Sequence, residues 1–316
     1  MADSLGGVVP AGKMVPMAIT AIIPTLGRST LEVAVKSLQE QTEAPVLIIK
    51  NGDEDTLIKI KEAVDEAKTE LVAIADDDAQ YPKDWIANLS KSFSPKVGFV
   101  GGPCLPLLDE SSTDAERCIA EVTASFWGTS NMSYRFKGKG KTRDADETNL
   151  IGNGLYRREV FKKLLDEEYD KIPPAAWETY IFTRIRQLGY RTVFDPGGKF
   201  YHKQRTNIFS FAKQIFRSGT GRVVFFKRFP KQIPLKFYIF FPMLFDIYLF
   251  LFFLLAYLNM PISGLPLVAY VAFVMLISYG FNHHKSKWLP FYYTAMHLSY
   301  GLGLIIGFFK SSRTWD

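Results

Sequence analysis

The chain has 316 residues, 47% hydrophobic and 22% charged, with a net charge of +6, which suits one substantial domain with added elements. No RNA- or DNA-binding motif accompanies the positive balance, so nucleic acid is excluded as a partner and an anionic membrane surface is expected instead. Two cysteines, Cys104 and Cys118, lack disulfide or metal spacing and read as buried thiols.

Residues 1–17 carry one lysine and no sustained apolar run, which predicts a flexible N-terminus rather than a secretory signal. Ala18–Pro24 is short, apolar and rich in β-branched residues, the composition of a buried strand. Ser29–Gln41 repeats apolar residues at helical spacing, and Val46–Lys50 is a second strand closed by the turn residues Asn51-Gly52-Asp53. Thr56–Ala67 is again helical, and Leu71–Ala75 is a third strand. Alternating strands and helices with short loops predict a doubly wound, mostly parallel sheet whose ligands bind at the carboxyl ends of the strands. Thr25, Arg28, Asn51, Asp53 and Asp76-Asp77-Asp78 all fall at such ends, so they are expected to share one cleft.

Further along, Val97–Gly102 reads as a strand and Thr113–Trp127 as a helix. Ser133–Thr148, with Lys137-Gly-Lys-Gly-Lys141, reads as a mobile polar loop. Leu150–Arg158 is a turn feeding a short strand, Ala175–Leu188 a helix ended by Gly189, and Arg191–Phe194 a strand before Asp195-Pro-Gly-Gly198 and Phe200–Lys203. Aromatic residues then interleave with Lys and Arg through 206–236, as in helices lying in a membrane interface. Three apolar runs, 237–258, 265–281 and 288–309, are expected to be about three transmembrane helices, since about 20 apolar residues cross a bilayer. Basic residues before the first run and at His283-His284-Lys285 predict a multi-pass protein with a cytosolic catalytic domain and a tail at 310–316. The third run either crosses or re-enters. Asp246 and His297 within the runs either line a substrate path or pair near the interface.

The chemistry centres on Asp76-Asp77-Asp78. Carboxylates after a buried strand suit Mg²⁺ or Mn²⁺, hard ions shared between protein oxygens and substrate phosphates. Asp76-Asp-Asp-Ala-Gln-Tyr-Pro82 with Trp85 resembles the Asp-x-Asp segment of the inverting family 2 glycosyltransferases of GT-A fold. Ala21-Ile-Ile-Pro-Thr25 with Arg28, Gly152-Asn-Gly-Leu-Tyr-Arg-Arg-Glu159 and Trp177–His202 resemble further segments of that family, from about Ala18 to Gly221. The resemblance implies a catalytic domain over 18–205, with Pro24, Thr25, Arg28, Asp76 and Asp77 on the donor nucleotide. Either Asn51 or Asp53 takes the place of the family's base-binding acidic residue. Asp78 and His202 are implied as metal ligands, and Glu178 as the general base, in place of the usual Asp. Asn153, Arg184, Gln214 and Arg217 are implied near the acceptor or diphosphate; an interfacial basic helix explains Gln214 and Arg217 equally.

These readings converge on transfer of a sugar from a nucleotide-diphosphate sugar to a hydroxyl of a lipid-linked glycan or glycolipid, with membrane lipids as further partners. A base is needed only if the acceptor is a hydroxyl; a polyprenyl phosphate is already ionised. Polyprenyl-phosphate transfer and a non-catalytic nucleotide-binding membrane protein are the alternatives. A nucleotidyltransferase would need a glycine-rich phosphate loop, and Pro24-Thr-Leu-Gly-Arg28 has one glycine.

Overall fold

The computed structural model describes residues 18–146, 150–173, 176–230 and 237–310. The N-terminal segment 1–17, the end of the polar loop at 147–149, the basic stretch 231–236 and the tail after 310 therefore lie outside the described residues. β1 (Ile19–Thr25) is almost wholly buried, as its continuous apolar sequence requires of a strand covered on both faces. α1 (Leu31–Gln39), β2 (Val46–Asn51) and α2 (Thr56–Glu66) follow, with α2 capped by the Asp55 carboxylate accepting from the Leu57 N–H at 2.7 Å. β3 (Leu71–Ile74) ends at the aspartates, and β4 (Ala79–Gln80) and α3 (Trp85–Lys91) succeed it.

β5 (Val97–Gly101) and β6 (Cys104–Pro106) lead to α4 (Asp114–Ala124), which opens with a Thr113–Glu116 capping box, and to the short α5 (Phe126–Thr129). The predicted mobile loop is instead partly ordered: Ser130–Phe136 is a 3-10 helix, and β7 (Arg143–Asp144) joins the main sheet. β8 (Gly154–Arg157), α6 (Arg158–Glu168) and α7 (Trp177–Gln187) come next, and α7 stops at Gly189, whose φ of +85° favours a residue without a side chain. β9 (Arg191–Phe194) and β10 (Phe200–His202) complete the strands.

The main sheet has the order β2-β1-β3-β8-β5-β9-β7, and β4-β10-β6 form a smaller one. The main sheet is mixed: β8 runs antiparallel to both β3 and β5, and β7 antiparallel to β9, while β2, β1, β3, β5 and β9 share one direction. Two apolar clusters cover its faces, one around Ile22, Val72, Phe99 and Phe161, the other around Ala21, Leu71, Trp85 and Val100. Each such large aliphatic or aromatic side chain contributes about 1.5–3 kcal/mol by leaving water.

The C-terminal part corrects the expected membrane spans. α9 (Phe241–Tyr257) has 17 residues, α10 (Leu265–Gly280) 16 and α11 (Leu289–Phe309) 21. The first two extend only about 24–26 Å at the helical rise, against about 30 Å of hydrocarbon. α11 is long enough, but Tyr292, Tyr293, His297, Ser299 and Tyr300 dilute its hydropathy. Among the described residues no helix is long and apolar enough to cross a membrane, which overturns the multi-pass expectation. α8 (Ile208–Arg228), within the stretch expected at an interface, packs along α11. The two helices meet at glycines: a side chain on Gly219 would stand 2.4 Å from the Tyr300 carbonyl, and one on Gly303 2.2 Å from that of Phe216. His297 ties α11 to its neighbours: its Nε2 lies 2.9 Å from the Trp127 carbonyl and its Nδ1 3.1 Å from the Tyr270 hydroxyl. Asp246 points from α9 toward Gly301, with its Oδ2 buried and unpartnered among the described residues.

Candidate active site

Three strand ends build the first half of the site. Parallel pairing of β1 with β3 sets Thr25 beside the aspartates, and the Thr25 hydroxyl donates to Asp77 Oδ2 at 2.6 Å. Arg28 Nη1 donates to Asp77 Oδ1 at 3.1 Å and to Asp78 Oδ2 at 2.7 Å. Antiparallel pairing of β10 with β4 puts His202 opposite Ala79, so that its Nε2 lies 2.9 Å from Asp78 Oδ1. Asp76, Asp78 and His202 then present three ligand atoms within 4.8 Å of one another.

The electrostatics follow from burial and neighbours. Burial pushes the Asp76 carboxyl above its ordinary value, against the pull of His202 and of a hydrogen bond from Asn153. Burial acts on Asp78 too, but His202, Arg28 and Arg205 outweigh it and hold that carboxyl below the ordinary range. For His202, burial is likewise outweighed, here by Asp78 and Asp76, so the imidazole binds its proton more tightly than usual. Two carboxylates and an imidazole of this kind fit Mg²⁺ or Mn²⁺ in their donor set and spacing.

Gly152-Asn153-Gly154 joins this half to the second. Because β8 is antiparallel to β3, its start lies at the carboxyl end of β3, with Gly154 opposite Ile74. Asn153 is buried and its Nδ2 donates to the Tyr81 hydroxyl at 3.0 Å, which donates to the Asp76 carbonyl at 3.3 Å. On its other side Gly152 receives Glu178 from the first turn of α7: a side chain there would stand 2.6 Å from Glu178 Oε1 and 2.8 Å from the Trp177 ring. Burial raises the Glu178 carboxyl above its ordinary value, offset in part by Arg135 and the Gly152 N–H, while the charge of Asp76 adds to the rise. Glu178 lines a cavity of about 300 Å³ with Met132, Arg135, Trp177, Arg222 and Tyr300.

The expected residues divide accordingly. Thr25, Arg28, Asp76, Asp77, Asp78, Asn153, Glu178 and His202 come together, with Pro24 adjoining on β1. Asn51 pairs with Thr25 across β1 and β2, and its side chain lies beside Gly27; Asp53 is exposed in the following turn. Arg184 does not reach the cluster: its guanidinium is held by Glu168, at 2.7 Å and 2.5 Å. Gln214 accepts from Arg205 at 3.4 Å at the surface, and Arg217 is exposed on α8. The sequence reading missed Arg135, Arg222 and Lys59. Lys59 is buried and ties the Thr25 and Gly52 carbonyls at 2.8 Å and 2.9 Å, a role signalled only by a lysine on the apolar face of α2.

No protein-family model and no curated protein matches the chain. Among solved structures it is similar to the mannosyltransferase PcManGT from Pyrobaculum calidifontis, determined in complex with GDP-Man and Mn²⁺. That likeness has 15% identity, covers 91% of this chain and 88% of the other, and has a TM-score of 0.59. A more distant likeness is to residues 1–349 of S. aureus TarS in complex with UDP-GlcNAc, at 10% identity over 66% of this chain and 67% of that one, with a TM-score of 0.41. The first likeness shows that this chain shares the fold of that mannosyltransferase.

Proposed function

We propose that the chain is an inverting, metal-dependent glycosyltransferase of the GT-A family 2 type, moving a sugar from a nucleotide-diphosphate sugar to an acceptor hydroxyl. The observation that carries this reading is the pair of carboxylate sites joined by Gly152-Asn153-Gly154. A PcManGT structure with a nucleotide sugar and Mn²⁺, on a shared fold, supports it.

Asp76, Asp78 and His202 would hold Mg²⁺ or Mn²⁺, which supplies charge neutralisation for the leaving diphosphate. Thr25 fixes Asp77, and Arg28 bridges Asp77 and Asp78, which keeps a positive charge at the edge where a diphosphate would lie. Either Asn51 or Asp53 meets the nucleobase. Glu178, ionised, accepts the proton of the acceptor hydroxyl as that oxygen attacks the anomeric carbon. The bond to the nucleoside diphosphate breaks as the new glycosidic bond forms, in one displacement that inverts the anomeric centre. Trp177 and Tyr300 wall the cavity at Glu178, and exposed Phe250, Phe253 and Val268 on α9 and α10 favour a lipid-linked glycan or glycolipid as the acceptor.

Arg135 and Arg222 in that cavity favour a second reading, with a polyprenyl phosphate as acceptor. One experiment separates the two: a panel of nucleotide sugars scored for nucleoside diphosphate release, with and without added polyprenyl phosphate, for the wild type and Glu178→Gln. Loss of transfer in Glu178→Gln with donor binding intact supports the hydroxyl acceptor. Near-normal turnover removes Glu178 as the base and favours the phosphate. No release with any donor or acceptor overturns both.

A further inference from the structure

Away from the catalytic cluster, a second group of metal-binding side chains closes the junction between α4 and the segment that joins α10 to α11. Asp114 and Cys118 are four residues apart on α4, so they stand one above the other on one face of that helix. His284 reaches them from the 281–288 segment, far away in sequence. One carboxylate oxygen, one thiol sulfur and one imidazole nitrogen lie within 4.8 Å of one another. His284 Nε2 is 2.6 Å from Asp114 Oδ1.

We propose that Asp114, Cys118 and His284 form a zinc site that staples the C-terminal helices to the sheet-bearing part of the chain. The donor set decides the ion. The catalytic group offers two carboxylates and an imidazole, the choice of a hard cation, whereas sulfur, nitrogen and oxygen together suit Zn²⁺. A tetrahedral zinc has its ligand atoms about 3.3–3.8 Å apart, given bonds of about 2.0–2.3 Å. The thiol and imidazole therefore close in by about 1.5 Å at most, and the Asp114–His284 contact opens by about 0.7 Å.

The surroundings have the supports that metal ligands use. The Ser286 hydroxyl donates to the other Asp114 oxygen at 2.5 Å, and the Glu121 carboxylate accepts from the His284 backbone N–H at 3.1 Å. Cys118 is fully buried in an apolar cluster with Ile119, Val122 and Tyr292, which seals the sulfur side. Asp114 and His284 keep 46% and 29% of their side-chain surface, which leaves an entry path and a fourth position for water. Binding displaces the Cys118 thiol proton to solvent, and the zinc stays divalent throughout. The site holds the start of α11, the helix that carries Tyr300 into the Glu178 cavity.

Full-length protein stripped with chelator and titrated with Co²⁺ tests the site, because only a thiolate ligand gives intense near-ultraviolet charge-transfer absorption. The expected result is one equivalent of Co²⁺ with that band, displaced by Zn²⁺ and retained in Asp78→Ala, whose site contains no sulfur. Cys118→Ser removes the band. His284→Gln, a change on a part-exposed loop that leaves the apolar cluster intact, weakens Co²⁺ binding at least tenfold. A wild-type titration without the band, a band that survives Cys118→Ser, or unchanged affinity in His284→Gln overturns the proposal.

Discussion

The Glu178 carboxylate occupies the space that a side chain on Gly152 would take, with Oε1 2.6 Å from the position of the missing Cβ. The glycine is thus what lets the candidate base stand over the loop that also carries Asn153. Gly152→Ala must displace Glu178 and the Trp177 ring together. It is expected to lower kcat about 10- to 100-fold, as misplacement of a reacting group by an ångström does. Donor affinity, which the proposed function sets on the other side of Asn153, should stay within about twofold. A kcat and donor-Kd comparison checks this, and equal loss in both would place Gly152 in the donor site.

The pH profile follows from the burial of Glu178. Its carboxyl is raised above the ordinary value of 4.5, chiefly by loss of water, and a base acts only when ionised. Transfer should therefore fall on acidification through a limb above that value. Glu178→Asp keeps the limb but lowers kcat about 10- to 100-fold, because the shorter side chain falls short of the hydroxyl. A profile of kcat against pH that shows no acid limb in the wild type removes Glu178 from the proton transfer.

Asp78 is shared between His202, at 2.9 Å, and Arg28, at 2.7 Å. Asp78→Ala removes a proposed metal ligand and leaves His202 and Arg28 without their shared carboxylate. Calorimetry with the nucleoside diphosphate should show Mn²⁺ tightening binding in the wild type and having no effect in the variant, a loss of at least about tenfold. Metal-stimulated binding that persists in Asp78→Ala would move the metal elsewhere.

Asp246 gives a stability prediction. Burial beside α11 raises its carboxyl from 3.8 to about 7. The folded state thus holds this proton after the unfolded state has lost it, so the stabilisation present below 3.8 is lost as pH rises to about 7. Asp246→Asn removes that slope. Its melting temperature should exceed that of the wild type by several degrees at pH 8, and the gap should narrow toward pH 4. A constant gap across that range would mean that Asp246 is paired.

Much of the site was legible because it lies at strand ends that follow one another in the chain. Apolar β-branched runs fixed β1, β2 and β3, and the residues after each run, Thr25, Asn51 and Asp76–Asp78, had to emerge at one edge of a parallel sheet. Arg184, implied by the resemblance alone, lies away from the cluster, because its position opposite Glu168 depends on how α7 packs against α6. The C-terminal runs were misread because an apolar run does not show where its helix stops: α9 and α10 close after 17 and 16 residues, and the polar groups of Tyr292, Tyr293, His297 and Ser299 interrupt α11. α8 and α11 close on each other at Gly219 and Gly303, which no hydropathy count registers.

The sequence by itself determined the acidic cluster and its place after a buried strand, because periodicity and strand order are local properties; Glu178 was singled out only by the family resemblance of Trp177–His202. Only the tertiary structure decided which side chains meet. Antiparallel insertion of β8 carries Asn153 and Gly152 to the end of β3, and pairing of β10 with β4 carries His202 to Asp78. Packing of the 3-10 helix and α8 around α7 brings Arg135 and Arg222 to Glu178. Strand direction and helix packing are settled by burial across the whole chain, so no single segment encodes them.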